Sequence, residues 1–252
     1  MEKGEIKGIA YTGSLDGEGP TLVCVHGAGV SSVFWYRQLE GLSGSFGVVA
    51  LDLPGNGRSP GAGITDINGY ADSVMNFIKN AGIQDPILCG HSMGGAICMR
   101  LLHDYPEYFR AGILVCTGAR LKVMPAIFDM IQNDYAEYIR MYPSFAASEK
   151  TDPALLSKVI EDAASCPPEV VQGNFSACSS FDMMEEVSKI TAEVLVITAS
   201  DDRLTPEKYG MYLEKNIPGA RRSHIQDAGH MVTVEKPEEL NNAISDFISG
   251  LS

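Results

Sequence analysis

The chain is short of positive charge. It carries 19 Lys and Arg against 32 Asp and Glu, a formal net charge of −13 over 252 residues. So acidic a globule repels phosphate backbones and anionic headgroups, which argues against nucleic acid and membrane surfaces as partners. No apolar run approaches membrane-spanning length. The N-terminal Met1-Glu2-Lys3-Gly4-Glu5 is charged and lacks the apolar core of a signal peptide. Cysteines number six, and none has the spacing of a metal site. Cys24, Cys89 and Cys116 lie inside apolar runs, where a free thiol behaves as a small hydrophobe. The expectation from these absences is a cytoplasmic chain that needs no metal and no cofactor. Internal repeats, low-complexity segments and interdomain linkers are also missing. The Gly-rich run after Leu51 has no Lys-Ser or Lys-Thr behind its glycines, so it is not a phosphate cradle.

What is present is an alternation of short apolar runs and helical patterns. Strand-like runs are Ile6 to Tyr11 (an edge strand), Thr21 to Val25, Phe46 to Leu51, Ile87 to Cys89, Ala111 to Cys116, Val194 to Thr198, and a weaker Arg222 to Ile225. Near-continuous apolar strands belong to a sheet covered on both faces, the mark of parallel α/β architecture. Helical spacing recurs in Asn68 to Ala81, Gly95 to His103, Pro206 to Asn216 and Pro237 to Ile248. Thr205 reads as the N-cap of the third of these, with Pro206 at its first position.

The rhythm breaks over residues 120–190. This stretch has no convincing strand, only helix-like segments at Pro125 to Tyr142, Pro153 to Ala164 and Pro168 to Ser176. It reads as a helical cap or lid inserted into a core formed by residues 1–119 and 191–252. Its Met and aromatic side chains partly pack the lid down. The remainder, with Met124, Phe128 and Phe145 as candidates, would line an apolar substrate pocket.

Gly90-His91-Ser92-Met93-Gly94 stands between an apolar strand and a helix. A Gly-x-Ser-x-Gly turn in that setting is a nucleophile elbow, which lifts the Ser92 hydroxyl clear of the sheet and aims the Met93 N–H at the site. The competing reading is an ordinary serine N-cap. A serine nucleophile needs a histidine base and an oxyanion site. Of five histidines, His91 lies within the elbow and points away from Ser92 if the strand alternates. His103 is late on its helix, and His224 is inside a strand. His230 follows Gly229 in a loop between the last strand and the last helix, where α/β folds place function.

With these residues in order, the chain resembles the α/β-hydrolase superfamily, in particular its small cap-bearing serine esterases. The resemblance covers nearly the whole length. It rests on His26-Gly27-Ala28-Gly29, the run Asp52 to Ser59, the elbow at Ser92, Asp202-Arg203-Leu204-Thr205-Pro206, and Gly229-His230. It implies a mostly parallel sheet with helices on both faces and a catalytic triad in the order Ser92, Asp202, His230. The family places its acid four residues before the proline, which selects Asp202 over Asp201; Asp201 would be an Asx-turn residue. Ala28 N–H matches the family's second oxyanion donor beside Met93, and His26 matches a structural position. The Asp52 to Ser59 loop would be structural too. A serine nucleophile departs from the dehalogenases and epoxide hydrolases of the superfamily, and a Gly-Gly-Ser elbow of the aminopeptidase kind is absent. The implied activity is a carboxylesterase for small to medium apolar acyl esters. Lactone hydrolysis, perhydrolysis and C–C bond hydrolysis on the same triad remain open, as does a non-catalytic small-ligand receptor.

Overall fold

The computed structural model describes residues 1–15 and 19–251. Among the described residues, eight strands form one sheet: β1 (Glu2–Ile6), β2 (Ile9–Gly13), β3 (Thr21–Val25), β4 (Gly47–Leu51), β5 (Ile87–His91), β6 (Ala111–Val115), β7 (Glu193–Ala199) and β8 (Arg221–Ile225). Their order across the sheet is β1-β2-β4-β3-β5-β6-β7-β8. β1 and β2 run antiparallel to their neighbours, and the six from β4 to β8 run parallel.

One strand expectation is corrected. Ile6 to Tyr11 is not a single edge strand but the heart of a hairpin, with Ile6 paired to Ile9. Lys7 and Gly8 between them both have positive φ, 53° and 79°. Two such residues make the tight turn whose twist matches two antiparallel strands.

Alternate side chains of the central strands feed two separate cores. Leu22, Cys24, Val48 and Ala50 face one side, where Phe34, Trp35, Leu39 and helix α10 (Pro237–Ser249) cover them. Val23, Val25, Val49 and Leu51 face the other side, under α2 (Ile67–Ala81) and α3 (Met93–Asp104). The period of two explains why both faces read as apolar. Each buried Leu, Ile or Phe contributes about 1.5–3 kcal/mol relative to exposure. Capping fixes the helix ends: Asp66 accepts the Gly69 N–H of α2, and Gly82 at its C-terminus is left-handed. Sequence periodicity missed α1 (Tyr36–Leu42), a seven-residue helix preceded by one 3-10 turn at Ser32–Trp35.

Between β6 and β7 lie α4 (Pro125–Asn133), α5 (Tyr135–Ala146), α6 (Ser157–Ser165) and α7 (Pro168–Ser180). Asp134 splits the expected Pro125 to Tyr142 helix by capping α5 through Glu137 N. α4, α5 and α7 share a small apolar cluster around Ile131, Tyr138, Val170 and Val171, whereas Val159 and Ala163 of α6 join the core that holds Leu22 and Val48. A lone antiparallel bridge, Arg120 to Asp182, closes the neck of the segment, and Met183 N donates to Ala119 O. Met183, Val187 and Ile190 then pack with the main core. Among the described residues, no helix is long and apolar enough to cross a membrane.

Candidate active site

The sheet changes direction at β3: β4 lies on one side of it and β5 on the other. Chain leaving the carboxyl ends of β3 and β5 therefore departs to opposite faces, α1 toward one core and α3 toward the other. The crevice opened at such a switch point is where open α/β sheets bind ligands. The loop after β3 carries Ala28, and the turn after β5 carries Ser92.

Ser92 adopts φ 54° and ψ −115°, a conformation that L-residues with a side chain rarely hold. The flanking glycines make it possible. A Cβ on Gly94 would collide with the Val25 carbonyl oxygen, and one on Gly90 with the Gly94 carbonyl. Strand, turn and helix are thereby pressed together, and Ser92 N is held by Val115 O at 3.0 Å. Met93 is the first residue of α3, so its N–H has no intrahelical acceptor. Ala28 is half-buried like Ser92, while the residues around both are buried.

His230 and Asp202 meet at the same place. His230 Nδ1 lies 2.9 Å from Asp202 Oδ2, with both side chains nearly or fully buried. Leu204 N and Thr205 N each donate to Asp202 Oδ1 at 2.9 Å, and Thr205 Oγ1 donates to Oδ2 at 2.7 Å. Burial alone would raise the Asp202 carboxyl. The His230 imidazole and the Thr205 donors outweigh it and hold the group well below the usual carboxylate range. Asp201 faces elsewhere, toward Ser148 Oγ at 2.5 Å and Ser200 Oγ at 2.9 Å.

Thr205 is a residue that sequence reasoning assigned to another task. α8 (Glu207–Asn216) starts one residue later than expected, with Pro206 at the cap position. The Thr205 hydroxyl is spent on Asp202 and lies 3.2 Å from His230 Nδ1. Glu235 was also missed. It is buried in α9 (Val232–Glu235), and its Oε2 accepts from Gly229 N, Ser148 N and Thr151 Oγ1. The carboxylate thus ties the His230 loop to the chain leaving α5.

His91 does not turn away from the site. Its ring packs between Phe34 and His230, at centroid distances of 4.4 and 4.5 Å, and Nε2 donates to His230 O at 2.8 Å. Burial first, then the neighbouring His230, hold His91 well below the ordinary histidine range. Its Nδ1 is therefore an unprotonated acceptor, buried without a partner. His26 is fully buried, accepts Leu53 N at 3.0 Å through Nε2 and donates to Gly27 O. Asp52 accepts Ser32 N and Arg58 N, so the 52–59 loop buttresses the loop after β3.

A cavity of about 250 Å³ connects these groups. Ser92, His230, Thr205 and Ala28 line it together with the apolar side chains of Val30, Leu121, Val123, Ile127 and Phe175. Met124 and Phe145 line it as well. Phe128 does not. Met124, Ile127 and Ile131 share one face of α4, and Phe128 lies about 100° round the helix from Ile127. Among the described residues, one group of metal-type side chains comes together: Cys116, Asp202 and His230, with ligand atoms within 4.8 Å of one another. Both Asp202 oxygens already accept hydrogen bonds, and burial followed by the adjacent Asp202 carboxylate pushes the Cys116 thiol up, so the thiol stays protonated. That arrangement suits a hydrogen-bonded acid better than a metal centre.

The chain belongs to the alpha/beta hydrolase family, whose pattern matches residues 22–243. It is 29% identical to the uncharacterized hydrolase YugF of Bacillus subtilis, over 90% of this chain and 89% of that one. It is 27% identical to the pimeloyl-[acyl-carrier protein] methyl ester esterase of Neisseria meningitidis, over 90% of this chain and 93% of the other. Among solved structures it is similar to a thermophilic esterase, with a TM-score of 0.83 and 28% identity across 100% of this chain and 98% of that one.

Proposed function

We propose that this hydrolase is a serine carboxylesterase for small to medium apolar acyl esters. The observation that carries the reading is the buried His230–Asp202 pair set against the same cavity as Ser92, whose backbone is held at positive φ. Ser92 Oγ attacks the ester carbonyl carbon, and its proton passes to His230 Nε2. The N–H groups of Ala28 and Met93 stabilise the oxyanion. Collapse expels the alcohol, which takes the proton from His230. Water then attacks the acyl-enzyme, gives its proton to His230, and Ser92 leaves with that proton restored. Asp202 keeps Nδ1 protonated and supports the imidazolium. Met124, Phe145 and the other apolar wall residues, supplied largely by the cap, take the acyl chain.

A fluorophosphonate probe tests this directly. One adduct on Ser92 is expected, together with a loss of turnover on the order of a thousandfold or more in Ser92→Ala. A folded enzyme that takes no label, or a Ser92→Ala variant that turns over 4-nitrophenyl esters undiminished, overturns the reading. The first outcome favours a small-ligand receptor.

A further inference from the structure

The loop after β3 is held at its two ends by the core. His26 receives Leu53 N, and Ser32 N donates to Asp52. Between these anchors, residues 27–31 make long-range hydrogen bonds only to the helical insertion, among the described residues. Gly29 N donates to Asn174 Oδ1 of α7 at 2.9 Å. Ser31 N and Ser31 Oγ donate to the two carboxylate oxygens of Asp162 on α6, at 2.8 and 2.6 Å.

Neither insertion residue is a casual surface contact. Asn174 is fully buried, and its amide is oriented by a second bond from Nδ2 to Tyr70 Oη at 2.6 Å; Tyr70 Oη in turn accepts Ile64 N. A buried amide with both ends used is a fixed bracket rather than a swinging side chain. Asp162 is largely buried, and burial raises its carboxyl although both Ser31 donors pull it down. The chain therefore tolerates a costly group at this place.

We propose that Asn174 and Asp162 are positioning residues for the oxyanion site, a role that rests on the esterase reading above. Ala28 sits between the core anchor at His26 and the bracket at Gly29. Holding the Ala28–Gly29 peptide fixes the backbone torsion that aims the Ala28 N–H. The cap thereby does more than cover the acyl chain: two of its helices set half of the oxyanion geometry. An oxyanion donor acts only if it is already in place when charge develops, so a loosened loop weakens transition-state binding and leaves ground-state binding nearly untouched.

The test is a split between kcat and KM. Asn174→Leu and Asp162→Ala are compared with the wild type by thermal melting and by kinetics on 4-nitrophenyl butyrate. Inhibition by a trifluoromethyl ketone with the same acyl chain, which forms a hemiketal on the serine, completes the set. The expected result is kcat lowered by about tenfold or more, KM within about twofold, and ketone affinity lowered in proportion to kcat/KM. Asn174→Asp keeps an acceptor for Gly29 N–H and should regain most of kcat. A folded Asn174→Leu with unchanged kcat, or with KM alone raised, overturns the proposal. If that variant does not fold, Asp162→Ala, on a different helix, decides by the same readouts. Failure of the esterase reading itself is seen separately, as turnover that survives Ser92→Ala.

Discussion

Two adjacent aspartates give a sharp test of the site. Asp202→Asn and Asp201→Asn are the same chemical change one residue apart, yet the structure gives them opposite surroundings. Asp202 is buried and accepts four hydrogen bonds, from His230, Leu204 N, Thr205 N and Thr205 Oγ1. Oδ1 takes both backbone N–H groups, so an asparagine keeps its carbonyl there. Its NH2 must then replace Oδ2, facing His230 Nδ1. Only a ring with Nδ1 unprotonated can accept from it, and that tautomer carries its proton on Nε2, where it cannot take one from Ser92. The expected loss in kcat is on the order of ten-thousandfold, about 5.5 kcal/mol of transition-state stabilisation. Asp201 points to Ser148 and Ser200, with Lys150 Nζ 3.9 Å away, and contacts neither His230 nor Ser92. Its asparagine variant should keep kcat within about threefold. Both are read with 4-nitrophenyl butyrate on protein whose melting curve shows a folded state. Equal losses in the two variants, or a larger loss at position 201, would falsify the assignment of the acid.

Stability should fall on mild acidification. His26 and His91 are buried with their affinity for protons lowered, so the unfolded chain binds protons that the folded chain refuses below about pH 6.5. The loss per pH unit is at most about 1.4 kcal/mol for each histidine. Asp162, raised by burial, works with the opposite sign, so the diagnostic is the slope difference between wild type and His91→Asn in urea melts at pH 7.5, 6.5 and 5.5; identical slopes would rule His91 out. Acyl preference should separate two phenylalanines. Phe145→Ala, which opens the cavity wall, is expected to move the optimum toward longer chains, each added methylene being worth about 0.8 kcal/mol or about fourfold in kcat/KM. Phe128→Ala, outside the cavity, should leave the chain-length profile unchanged, and a shift there equal to that of Phe145→Ala would contradict the placement of α4.

The strands were readable because each central strand is apolar on both faces. Thr21 to Val25 has the same bounds in sequence and structure. The elbow was readable because its strain demands particular residue types, glycines at 90 and 94 around one serine. Short elements without a repeating pattern were not. The α1 helix has only seven residues, too few to display a period, and the hairpin turn at Lys7-Gly8 is hidden inside an apolar run. Phe128 was misplaced for a related reason: composition identifies an apolar helix but not the face it turns to a cavity, which packing against the neighbouring helices decides.

The polar residues that support the site fall into a different class. Thr205, Asn174, Asp162 and Glu235 are buried or largely so; the last three accept from backbone N–H groups, while the Thr205 hydroxyl bonds Asp202. A backbone amide has no residue type, so such a bond leaves no motif at either end. Thr205 even carried a competing local meaning, since a threonine before a proline and a helical pattern reads equally well as a cap. Asn174 is separated from Gly29 by 145 residues, and only the folding of α7 over the β3 loop brings them together. On the esterase reading, the reacting side chains are legible because chemistry restricts what they can be. The groups that aim them can be any donor or acceptor of the right length, and sequence alone cannot tell those apart from ordinary solvated polar residues. The helical insertion is where this matters most, because the side chains that reach the Ala28 loop are drawn from it.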